Sequence, residues 1–91
     1  MFTDFSNPDE AQQKAQLYGV DLYFSTRKNK KYMVLAPTGK WVHFGQLGYE
    51  DFTKHHDLGR RDAYLRRATK IKGDWRRDKF SPNNLAIHIL W

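Results

Sequence analysis

The chain has 91 residues, with 16 lysines and arginines against 10 aspartates and glutamates and a formal net charge of +6, a length that gives room for one small domain with a modest core of its own. It contains no cysteine, which excludes disulfides and thiolate zinc sites. No apolar run approaches the ~20 residues of a membrane span, and Met1-Phe2-Thr3-Asp4-Phe5 lacks the basic stretch and apolar run of a secretory signal, so neither is expected.

The first predicted element is a helix. Asn7 is a cap, Pro8 suits the first helical position, and Asp9 and Glu10 favour the positive end of the helix dipole. Ala11 to Leu17 are good helix formers, and Gly19 suits the stop. The apolar content, Ala11, Ala15, Leu17 and Tyr18, is thin, so this helix is expected to pack lightly or to lean on a neighbour. Three strands follow. Val20 to Ser25 alternates Val20, Leu22 and Phe24 with Asp21 and Tyr23. A polar turn, Arg27 to Lys30, leads to a strand from Lys31 to Ala36. The turn Pro37-Thr38-Gly39-Lys40 then leads to Trp41-Val42-His43-Phe44-Gly45. Such short connections imply an antiparallel meander.

Gly45 and Gly48 mark a bend, and Tyr49 to Thr53 reads as a turn or a single helical turn. Tyr49 and Phe52 are expected to anchor this bend on the sheet, with Asp51 and Thr53 meeting local backbone donors. Asp57 then caps a helix from Leu58 to Ile71. Tyr64, Leu65, Ala68 and Ile71 fall on one side of it, and Arg60, Arg66, Arg67 and Lys70 fall mostly on the other. Arg61 lies in the apolar arc, as a snorkelling stem or a paired guanidinium. Gly73 ends this element. Ser81 and Pro82 open a short apolar helix from Asn83 to Trp91, with a final strand as the competing reading. The fold class is α+β, a small three-stranded antiparallel meander covered by two or three helices. It forms one domain over 1–91, divided into a helical arm (1–19), the meander (20–45) and a basic helix with an apolar C-terminal segment (57–91).

Charge is unevenly spread. Residues 1–26 hold one base and four acids, whereas residues 27–91 hold 15 bases and six acids. Between Lys54 and Lys79, ten bases meet four acids, and such a field draws polyanions or acidic protein surfaces. The candidate binding residues are Arg60, Arg61, Arg66, Arg67, Lys70, Lys72, Trp75, Arg76, Arg77 and Lys79. Arginine favours bidentate contact with phosphate or carboxylate. The interleaved Tyr64, Trp75 and Phe80 suit stacking on bases or filling a partner's pocket. Asp57, Asp62, Asp74 and Asp78 interrupt this patch and suggest local ion pairing. His55-His56-Asp57 offers metal-ligand or acid–base chemistry, but adjacent side chains diverge and no further ligand stands at a recognised spacing. His43, on the face of Trp41, and His88 are expected to be packed or hydrogen-bonded. No catalytic motif is present, so no enzyme activity, metal, cofactor or small-molecule substrate is expected.

The block Gly39-Lys40-Trp41-Val42-His43-Phe44-Gly45-Gln46-Leu47-Gly48-Tyr49-Glu50-Asp51-Phe52-Thr53-Lys54-His55, then Asp57, Arg60, Arg61, Tyr64, Arg67 and Lys70, resembles a family of small basic proteins of unknown role encoded by nucleocytoplasmic large DNA viruses. The resemblance covers about residues 31–91, including the apolar end Ile87 to Trp91; residues 1–30 lie outside it. It implies a viral protein and supplies no catalytic residues. The expected role is a minor capsid or virion component, on the inner side of the capsid and in the host cytoplasm during assembly. Its partners would be capsid proteins of the same virus, with viral DNA, in a genome-condensing role, as the alternative.

Overall fold

A computed structural model describes residues 2–91; Met1, the first residue of the expected helical arm, lies outside them. After a 3-10 turn over Phe2–Asp4, α1 spans Pro8–Tyr18. Asn7 Oδ1 accepts from the backbone N–H of Asp9 and Glu10, and Gly19 closes the helix in the left-handed conformation at φ 85°. Strands β1 (Tyr23–Phe24), β2 (Lys30–Leu35) and β3 (Trp41–Gln46) form an antiparallel sheet in sequence order. The β2–β3 turn is tied by Gly39 N–H to the Ala36 carbonyl (2.9 Å), with Gly39 at φ 86°. The single turn α2 (Phe52–His55), helix α3 (Leu58–Ala68) and the short helix α4 (Pro82–Leu85) follow, and α4 widens into a π-helical turn over Ala86–Leu90. The expected α+β class is what the structure shows, and the C-terminal segment is helical.

Register explains the core. Phe24 pairs with Tyr32 and Tyr32 with Phe44; Val34 pairs with Val42. Because side chains alternate across a strand, these residues share one face. Tyr32, Val34 and Phe44 on that face are buried together with Leu85, Ile89 and Leu90 from the C-terminal segment. Ala11 and Ala15, one turn apart, are fully buried and let α1 approach the C-terminal turn closely.

Several expectations change. The strand expected over 20–25 is only two residues long, because Val20 is taken into the core beside α1 and leaves the ladder. Leu17 is 89% exposed, so the apolar contacts of α1 come from its alanines and Tyr18, and of the two expectations α1 leans on a neighbour, the C-terminal segment, where it closes the core. The Tyr49 side chain is 70% exposed and does not anchor the bend, while Phe52 is half-buried with its ring against His55 and His56; the buried residues of the bend are Asp51 and Thr53. Helix α3 ends at Ala68, not Ile71, and Ile71 is exposed. Its carbonyl instead receives Trp75 Nε1–H at 2.7 Å.

Candidate functional site

The bend between β3 and α2 closes over a buried polar cluster. Lys31 and Asp51 form an ion pair at 3.0 Å, with side chains 3% and 2% exposed. The ammonium also donates to the carbonyls of Tyr49 (2.6 Å) and Phe5 (3.3 Å), so all three of its protons are used. Asp51 Oδ1 accepts from Thr53 N–H at 3.0 Å and from the Thr53 hydroxyl. Thr53 Oγ1 in turn meets Ser6 Oγ at 3.1 Å, and Ser6 meets the Tyr32 hydroxyl at 2.7 Å. Burial pushes Lys31 below the usual lysine value, with Asp51 opposing, and pushes Tyr32 up to about 12. A buried charge is tolerated only when it is paired and hydrogen-bonded. This cluster meets both conditions, and its groups are saturated.

Gly45 permits that arrangement. It stands at φ 81°, and a Cβ there would lie 2.9 Å from Leu90 Cδ1 and 3.2 Å from Lys31 Cβ. The glycine thus serves both as a left-handed backbone position and as a space for two neighbouring side chains.

The arginine pairs of α3 are divided among different tasks. Arg61 Nε donates to the Trp91 backbone oxygen at 2.7 Å, and its guanidinium lies over the Phe52 ring, which accounts for its place in the apolar arc. Arg66 pairs with Asp62 one turn away at 2.8 Å. Arg60 reaches Glu50 at 3.9 Å, and Arg67 lines the same cleft as Arg60. Beyond the helix, Arg76 covers the Trp75 ring and donates to the Thr69 carbonyl, while Lys79 lies over Tyr18 and Phe80. Lys70, Lys72 and Arg77 are exposed.

The acids within this patch do less ion pairing than expected. Asp57 Oδ1 caps α3 through Gly59 and Arg60 N–H, and Asp78 Oδ1 accepts from Phe80 N–H. Of the four, only Asp62 makes a salt bridge among the described residues. The histidines diverge as expected. His55 Nδ1 accepts from Asp57 N–H and its ring tilts against Trp91, whereas His56 Nε2 meets Glu10 at 2.8 Å. Among the described residues, no three histidine, aspartate or glutamate side chains gather as a metal site. His43 Nδ1 is hydrogen-bonded to Ser25 Oγ at 2.7 Å; His88 is exposed but stacks on Tyr18.

Two surfaces stand out. A cleft of about 510 Å³ opens between the end of β3, α3 and the C-terminal residues. Gly45, Ala63, Ala86 and Leu90 give it an apolar lining, and Arg60, Arg67, Tyr64, Gln46 and Glu50 add polar groups. Tyr64 stacks on Trp91 at 4.2 Å as one wall. The second surface is the outer face of the sheet. Tyr23, Met33 and His43 form one cross-strand row, and Leu35 and Trp41 the next. Tyr23 and Leu35 are each 49% exposed and Trp41 is 40% exposed. Sequence reasoning misses this surface, although the alternation in β2 and β3 is the signal that assigns Leu35 and Trp41 to one face.

Residues 20–68, just over half of the chain, match the model of a family of unknown function, DUF5754. The chain belongs to that family. The matched stretch takes in the whole sheet and both α2 and α3, with Lys31, Gly45, Asp51 and Thr53 of the buried cluster and Arg60 to Arg67 of the cleft. It begins earlier than the resemblance read from the sequence and stops short of Lys70 to Lys79 and the C-terminal segment. Comparison with curated proteins and with solved structures found no match. No helix among the described residues is long and apolar enough to cross a membrane.

Proposed function

We propose that this member of the family is a docking module: a minor structural protein of a large double-stranded DNA virus that binds larger capsid subunits through its basic, aromatic-bearing surface and carries out no reaction. The observation that carries a protein partner is a second, apolar surface, the outer sheet face, which contains none of the bases between Arg60 and Lys79. Tyr23, Leu35 and Trp41 present apolar surface side by side, and contiguous patches of this kind mark interaction sites. Tyr23 and Trp41 already hold each other edge to face at 5.6 Å, so little side-chain order remains to be lost on docking. The excess of bases beyond residue 26 supplies complementarity to acidic subunits and speeds encounter.

Mass spectrometry of purified virus particles, with cross-linking to locate neighbours, tests this reading. The expected result is the chain cross-linked to capsid subunits; its absence from particles overturns the proposal. Viral DNA is the second reading, favoured by one observation: Asp57 and Asp78 accept backbone hydrogen bonds, which leaves exposed Lys70, Lys72 and Arg77 open to phosphate. It predicts salt-dependent retardation of duplex DNA. No retardation at low salt removes it.

A further inference from the structure

The cleft beside α3 has its own recognition chemistry. Arg60, Tyr64 and Arg67 stand at i, i+4 and i+7 of one helix, so they share a face. Their end members are about 10 Å apart along the axis at 1.5 Å per residue. Neither terminal guanidinium is held tightly: Arg60 reaches Glu50 only at 3.9 Å, and Arg67 makes no ion pair among the described residues. The apolar part of the lining comes from Ala63, Ala86 and Leu90, with the Tyr64–Trp91 stack. The deeper charges are satisfied, because Lys31 and Asp51 are bonded to each other. The cleft therefore combines an apolar slot with two cationic groups beside its mouth.

Resting on the docking role above, we infer that this cleft receives an extended acidic segment of a protein partner, with one leucine or phenylalanine in the slot and a carboxylate on either side of it. In an extended chain the flanking residues point away from the inserted one and lie about 7 Å apart. Two flexible arginine stems reach that distance, and guanidinium–carboxylate contacts fix register as well as charge. Among the described residues Glu50 is the one acid ion-paired with Arg60, and the positive balance of the chain favours the incoming carboxylates. The volume of about 510 Å³ lies within the ordinary range for a binding cleft.

Isothermal titration calorimetry of the full chain tests this with a short peptide carrying leucine between two aspartates. The controls are the same peptide with asparagines and inorganic phosphate. The aspartate peptide is expected to bind and the asparagine peptide to bind several-fold more weakly. The R60A/R67A double variant should lose about tenfold in affinity, as two partly exposed ion pairs imply. Ala63→Phe fills the slot while keeping both charges and should abolish binding; Glu50→Gln frees Arg60 and should strengthen it. These side chains are at least partly exposed, and unchanged circular dichroism verifies that the variants fold. Equal binding of both peptides, undiminished binding by Ala63→Phe, phosphate competing at the peptide's own affinity, or no binding at all each overturn the inference. A chain found cross-linked in particles but blind to the peptide would sink the cleft assignment alone. Peptide binding by a chain absent from particles would sink the docking role instead.

Discussion

Lys31 and Lys70 carry the same ammonium group in opposite surroundings. Lys31 is buried, bonded to a carboxylate and two carbonyls, and holds the N-terminal segment, β2 and the bend before α2 together. Lys70 is exposed just past the end of α3. The same division separates Asp51, inside the cluster, from Asp62, on the surface of α3. What a charged residue contributes is decided by its unfilled hydrogen-bonding capacity: saturated groups hold the fold, and unsaturated groups remain open to a partner. A count of bases along the chain does not distinguish the two.

The comparison breaks most sharply at Lys31. Lys31→Met leaves Asp51 buried without its counter-charge and should cost about 3–5 kcal/mol in urea denaturation; adding Asp51→Asn should recover part of that loss. Unchanged stability in the single variant would remove the cluster from its structural role. Gly45→Ala strains a left-handed position and presses on Leu90 and Lys31, for an expected loss of about 1–3 kcal/mol by the same measurement.

A smaller effect is expected from pH. Burial, then Arg60, hold the His55 pKa below its usual 6.5. Above 6.5 the ring is neutral in both folded and unfolded chains, so its contribution is complete. Below 6.5 the unfolded chain takes up the proton first, and stability falls as pH drops toward the lowered folded value. The melting temperature should therefore fall from about pH 7 to about pH 5. His55→Asn keeps an acceptor for Asp57 N–H and should make that fall shallower, though His43, also lowered by burial, leaves a residual slope. The smallest effect on stability belongs to the open end of the comparison. Joint replacement of Lys70, Lys72 and Arg77 by alanine should change unfolding by no more than about 0.5 kcal/mol per site. If phosphate is the ligand, the same variant should bind DNA with a salt slope shallower by about one for each phosphate-bound cation removed.

Much of the backbone was legible because its punctuation is chemical. Asn7 with Pro8, Pro37 to Gly39, Asp57, and Ser81 with Pro82 mark boundaries that the structure keeps. Tertiary competition accounts for the misses. Val20 left the first strand for the core, and α3 closes at Ala68 with Thr69 as its cap, so that the Ile71 carbonyl beyond it accepts from Trp75 Nε1–H. The Lys31–Asp51 pair joins residues 20 positions apart, and no local pattern marks a lysine as buried. Arg61 was legible as a snorkelling stem or a paired guanidinium, and the structure shows it paired, although its acceptor on Trp91, 30 positions away, was not legible. Lys70 to Lys79 were legible as charge, but Arg76 over Trp75 and Lys79 over Tyr18 depend on loop geometry that composition does not encode.

The widened turn at Ala86–Leu90 has a consequence for biosynthesis. Leu85, Ile89 and Leu90 complete a core begun by Ala11, Tyr32 and Phe44, so the hydrophobic interior stays open until Leu90 has left the ribosome. While synthesis continues, the emerging strands present unprotected apolar edges on which aggregation or a chaperone can act. The matched stretch 20–68, expressed alone, would lack Ala11, Leu85, Ile89 and Leu90 and so would retain that unsealed interior.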